Sequence, residues 1–175
     1  METVSRRSFL KQTFFGSVVL SSSGFLLPAF EDEMLSPEIS DQLQYFSPKE
    51  FLVIQSVAER IVGTASGNSS ATDLDAALRA DKFLGAADPE IQEQFHQLLT
   101  VFNAPFFAFL FDFRFSSFIG MSPEDQDSYL EDWMNSSFAF RRTGFQALKR
   151  VCLSMFYTEP RSWPEIGYDG KFEPS

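Results

Sequence analysis

Side chains able to do chemistry are scarce in this chain: one His and one Cys among 175 residues. A single thiol cannot close an internal disulfide, and His96 with Cys152 falls short of the three or four N/S ligands a zinc site takes. A Ser–His nucleophile would have to be built on His96 alone. His96 follows Phe95 one step off an apolar helical stripe, the position of a boundary residue rather than a base. Cys152 falls on the inward side of the last predicted helix, where a thiol acts as a small hydrophobe. The carboxylates of Asp73, Asp75, Glu124, Asp125, Asp127, Glu131 and Asp132 lie in first helical turns or on polar faces, where the helix dipole and solvent account for them. Neither a G-x-G-x-x-G nor a P-loop is present. Catalytic residues, a metal site and a cofactor site are therefore not expected in this chain.

Residues suited to recognition are more abundant. Phe occurs 22 times against 2 Trp and 4 Tyr. Trp133 near Arg141 and Arg142, and the closing Trp163, Ile166 and Tyr168, are residue types that anchor protein interfaces. Two readings stand for them. Either they bind a partner, or the tryptophans fill the core and the arginines cap it. The run from Phe106 to Phe118 has the same two readings: rings that fill the core, or an accessible patch that serves as an interaction surface.

Charge separates the chain into two parts. Its 14 Lys+Arg against 24 Asp+Glu give a net charge of −10, which argues against nucleic-acid binding. Residues 1–30 carry Arg6, Arg7 and Lys11 against Glu2, a net of +2, so the remainder carries −12. Ser5-Arg6-Arg7-Ser8-Phe9-Leu10-Lys11 followed by the weakly apolar stretch Phe14 to Phe30 matches a twin-arginine export signal, with Ser5, Arg6, Arg7, Phe9, Leu10 and Lys11 as its recognition residues. That route carries folded cargo, often loaded with a cofactor. A body without a cofactor motif behind such a signal suggests that the cofactor belongs to a partner.

The elements that would position these residues read as helices. Residues 31–46 are acidic and irregular, a linker. Ser47-Pro48-Lys49-Glu50 is a capping box with Pro at N1, and Phe46 and Phe51 form a hydrophobic staple. Phe51, Ile54, Ala58 and Ile61 then repeat at helical spacing up to Gly63. After a loop over 63–71, a second helix is capped by Thr72 and ends near Gly85. A third opens at Asp88-Pro89-Glu90 and carries Ile91, Phe95, Leu98, Leu99 and Phe102 as a one-face stripe. Phe107, Phe109, Phe111, Phe113 and Phe115 alternate with a strand's period. Their all-helical surroundings favour a helix and then a loop, since a lone strand would leave its backbone donors unpaired. Ser122-Pro123-Glu124-Asp125 starts another helix through Tyr129, Leu130 and Trp133, and the last spans 137–157 with Phe138, Phe145, Leu148, Cys152 and Met155 along one side. Pro160, Pro164, Gly167 and Gly170 predict an irregular tail. The expectation is an all-α bundle of about five helices over 47–175, behind a signal segment at 1–30.

Several fragments in order carry a family resemblance. They are Ser47-Pro48-x-Glu50, Ala58-Glu59-Arg60-Ile61-Val62, Met121-Ser122-Pro123-Glu124 with Tyr129-Leu130-x-x-Trp133, Arg141-Arg142-x-x-Phe145-x-x-Leu148, and Trp163-x-x-Ile166-Gly167-Tyr168-Asp169-Gly170. Together they resemble the gluconate 2-dehydrogenase subunit 3 family. The resemblance implies a non-catalytic small subunit that binds a large FAD-dependent dehydrogenase subunit of the glucose–methanol–choline type and helps it fold. It further implies that the small subunit lends its twin-arginine signal so that both reach the periplasm, with FAD in the partner and often a multihaem cytochrome c subunit completing the complex. Lys171 stands where the family usually has proline, and Val62-Gly63 replaces a common Ile-Pro, which leaves the partner's substrate open. The alternative from another class is a stand-alone periplasmic helical protein binding apolar ligands or lipids.

Overall fold

Proline at the first helical position, behind a side-chain cap, starts three of the long helices. The computed structural model describes residues 35–63, 69–112 and 114–169. The described α-helices are α1 (Pro37–Ser40), α2 (Pro48–Val62), α3 (Ala76–Gly85), α4 (Pro89–Asn103), α5 (Pro105–Asp112), α6 (Pro123–Met134) and α7 (Ala139–Tyr157), with 3-10 turns at Phe118–Gly120 and Pro160–Ile166. No strand occurs among the described residues. α2, α3, α4, α6 and α7 are the five long helices that the patterning predicts. The export signal residues Ser5, Arg6, Arg7, Phe9, Leu10 and Lys11 lie outside the described residues.

The caps form as their residue types dictate. Ser47 Oγ accepts from the Glu50 amide while the Glu50 carboxylate accepts from the Ser47 amide at 2.9 Å. Asp88 and Ser122 accept from Glu90 and Asp125 at the starts of α4 and α6. Each such cap contributes on the order of 1 kcal/mol. α2 ends where Gly63 takes a φ of 68°, a conformation glycine adopts without a Cβ penalty.

Around the longest helix, α7, pack α2, α3 and α6. Its inward side is Phe145, Leu148, Cys152, Met155 and Phe156. Gly144 permits the closest approach: a Cβ there would stand 2.7 Å from Leu98 Cδ1 and 2.8 Å from Trp133 Cζ3. At the core's centre Phe102 meets Phe118, Tyr129 and Trp133 with ring centroids 4.7, 5.3 and 4.8 Å away. The Tyr129 hydroxyl donates to the Phe102 carbonyl at 2.9 Å, which satisfies its one polar atom inside this apolar cluster.

Five expectations are corrected. Residues 35–46 are a docked strap rather than a linker. The fully buried carboxylate of Asp81 on α3 accepts from the amides of Gln44, Tyr45 and Phe46 at 2.8, 3.0 and 2.7 Å, and Phe46 enters the core. α3 begins at Ala76 rather than after Thr72: residues 71–75 form turns, the Thr72 hydroxyl accepts from the Gln55 side-chain amide at 3.2 Å rather than from a helix amide, and Asp75 turns left-handed at φ 53°. Ile91 and Phe138, expected on buried stripes, are 52% and 49% exposed, each lying at the N-terminal end of its helix. The tail folds into a 3-10 turn that Ser162 ties back to the Glu159 carbonyl through its amide (2.9 Å) and hydroxyl (2.7 Å). Gly167 ends it at φ 70°, with the Tyr168 amide bonding the Trp163 carbonyl at 3.0 Å. The Phe run, finally, is not chiefly core: Phe118 is buried, but Phe106, Phe109 and Phe115 are exposed.

Candidate functional site

The groups that could do chemistry are engaged in holding the fold. His96 Nδ1 lies 2.6 Å from Glu50 Oε1, and its ring packs on Tyr45 at 4.3 Å, so it ties α4 to the capping box of α2. Burial pushes the Cys152 thiol up to about 12 and the Tyr129 hydroxyl also to about 12, which keeps both protonated at neutral pH. Buried Glu159 pairs with Arg79 on α3 and with Arg161 at 2.8 Å, fastening the C-terminal turn. Arg114 gathers Asp125 (3.3 Å), Ser128 (2.8 Å) and Asp132 (3.2 Å) of α6. Among the described residues no cluster of three or more His, Cys, Asp or Glu could hold a metal ion, and no helix is long and apolar enough to cross a membrane.

The sequence-proposed interface residues divide between interior and surface. Trp133, 2% exposed, and Arg141, 4% exposed, face inward and leave the interface set. The Arg141 guanidinium bonds Asp112 at the end of α5 in a bidentate pair (3.0 and 2.7 Å) and lies 5.3 Å from the Phe111 and Trp133 ring centroids. Sequence spacing pointed to the arginine but not to Asp112, which lies 29 residues away. Arg142 is exposed and donates to the Ser136 carbonyl. At the other end of α7, the Trp163 indole donates to the Tyr157 carbonyl at 2.9 Å and its ring meets Tyr168 at 5.2 Å. Ile166 and Tyr168 stay exposed beside it at 55% and 44%.

A third group of surface side chains is larger than either. On α5, Phe106, Phe109 and Leu110 follow i, i+3, i+4 spacing and share the outward face, while Ala108 is buried and Phe107 and Phe111 are half-buried. Phe115 meets Phe109 at 4.8 Å and is 78% exposed; Phe138 meets Phe111 at 5.1 Å. Ring contacts continue from Phe138 through Phe140 at 6.1 Å to buried Trp133 at 6.2 Å. The result is a shelf of aromatic surface rooted in the core. The sequence allowed the run 106–118 as an accessible interaction surface without showing which of its rings face out, and it placed Phe138 on the buried side of the last helix rather than beside that run.

The shelf and the Trp163–Tyr168 corner lie near opposite ends of α7, roughly 27 Å apart along its axis at 1.5 Å per residue. Such a molecule presents apolar anchors, and its ionisable groups brace them. The model of the family described as gluconate 2-dehydrogenase subunit 3 matches residues 48–170. That span runs from the first residue of α2 to just beyond the C-terminal corner. No curated protein and no solved structure gave a match. With a match over most of its length, the chain belongs to the gluconate 2-dehydrogenase subunit 3 family, and this membership implies an accessory subunit of a dehydrogenase complex.

Proposed function

We propose that this chain is a non-catalytic subunit that binds the large FAD-dependent dehydrogenase subunit of its complex, of the glucose–methanol–choline type, assists its folding and exports it. Family membership over residues 48–170 carries the reading. The Ser5–Lys11 motif adds the route: twin-arginine translocation of a folded pair into the periplasm. FAD then belongs to the large subunit, and a multihaem cytochrome c subunit is a further partner that would take the electrons onward. The small subunit acts by contact and address, with the periplasmic complex as its place of work.

Co-expression of the large subunit with Arg6→Lys/Arg7→Lys protein tests this. Both chains should remain in the cytoplasm, with flavin-dependent activity missing from the periplasmic fraction. Normal export of the large subunit under those conditions would overturn the proposed hitch-hiking.

A further inference from the structure

We infer that the shelf of Phe106, Phe109, Leu110, Phe115 and Phe138 is the surface on which the large flavoprotein subunit docks. This rests on the accessory-subunit reading and adds to it a location and a chemistry. Three observations carry it.

The first is area. With an aromatic side chain offering ~150–250 Å², the exposed parts of these five residues amount to roughly 500 Å². That reaches the upper range for the largest apolar patch on a monomer, about 300–600 Å². It is also close to the apolar share of one side of a standard interface, roughly 57% of about 800 Å². A partner chain of ordinary interface size would cover it.

The second is preorganisation. The inward side of α5 is held by the buried Asp112–Arg141 pair, and the chain after it by Arg114 on Asp125, Ser128 and Asp132. Exposed rings are thus presented on a fixed support, which reduces the ordering cost of association. Exposed hydrophobics elsewhere, such as Phe83 and Ile91, belong to no such ring network among the described residues.

The third is charge. A surface that enters lipid carries Lys and Arg around its apolar face. Around the shelf Arg114 and Arg141 are paired with carboxylates, the exposed Arg142 beside Phe138 makes only a thin basic rim, and the chain's net charge of −10 repels both anionic head groups and a second copy of itself. An uncharged apolar recess on a different protein is the complement that remains.

The test is co-purification of the co-expressed flavoprotein subunit with three forms of the full chain: unaltered, Phe106→Ser/Phe115→Ser, and Phe83→Ser as a control on α3. A milder single Phe115→Ser variant guards against misfolding, checked by circular dichroism. The shelf double variant should lose at least about tenfold in recovered flavin per chain, as for aromatic hot spots, with Phe83→Ser unchanged. Equal recovery with the double variant would overturn the shelf while leaving the accessory-subunit reading intact. No complex with the unaltered chain would overturn that reading itself. Two further results would also overturn the shelf as a flavoprotein site. One is shelf-dependent flotation with phosphatidylcholine–phosphatidylglycerol vesicles; the other is a shelf-dependent homodimer in sedimentation.

Discussion

Two groups of aromatic rings, less than a helix apart in sequence, meet opposite fates. Phe102, Phe118, Tyr129 and Trp133 are sealed in the centre, whereas Phe106, Phe109 and Phe115 face outward. Hydrophobicity does not distinguish them, since all are phenylalanines or larger aromatics. Register on the helices does. α4 and α6 lie across α7 at Gly144, so their inward residues meet neighbours at once. α5 follows α4 across the single residue Ala104 and has a polar pin at its far end, the Asp112–Arg141 pair, that fixes one side against α7, while Phe106, Phe109 and Leu110 on the other side are exposed. The same residue type stabilises the fold in one place and is held ready for contact in the other. Stability and association should therefore be separable by mutation.

The largest expected effect comes from the inner group. Trp133→Ala removes a ring that touches Phe102, Tyr129, Phe140 and Arg141, and should cost about 3–5 kcal/mol in urea unfolding. Gly144→Ala comes next, at about 1–3 kcal/mol, because Leu98 and the Trp133 ring must both move to admit a methyl group. A rise in pH should discriminate the interior more gently. The Cys152 thiol, raised by burial from 9.0 to about 12, holds its proton longer folded than unfolded. Its contribution is fully present below pH 9.0 and is lost as pH climbs through about 12. Tyr129, raised chiefly by burial from 10.0 to about 12, acts in the same direction. Urea midpoints measured across that window should fall, and the fall should be shallower in Cys152→Ala. The smallest effect belongs to the outer group: Phe115→Ser should change stability by no more than about 0.5 kcal/mol. A large loss there would erase the distinction between the two groups.

Much of the architecture was legible because local chemistry and tertiary packing agree. Ser47-Pro48-x-Glu50, Asp88-Pro89 and Ser122-Pro123 mark helix starts with their own caps, and Gly63 and Gly85 mark ends. Two features needed long-range partners and were not legible, and a third was missed although its contacts are local. Asp81 is an ordinary helix acid until the strap arrives 35 residues away in sequence to use it. Arg141 resembles an exposed interface arginine until Asp112 draws it inward. The tail looked irregular because its prolines and glycines argue against an α-helix, yet short i→i+3 bonds from Ser162 to Glu159 and from Gly167 to Pro164, with the Trp163 indole on the Tyr157 carbonyl, close a 3-10 turn. The shelf was half legible: the run of Phe was conspicuous, but which rings face out depends on where Ala108 meets the core.

Isolation of the native protein from its own cells, followed by mass, subunit stoichiometry and flavin content, tests the central claim most directly. The expected result is a complex in which flavin follows a larger companion when the chains are separated, leaving this chain colourless. A lone chain carrying stoichiometric flavin or haem with no companion would contradict the account.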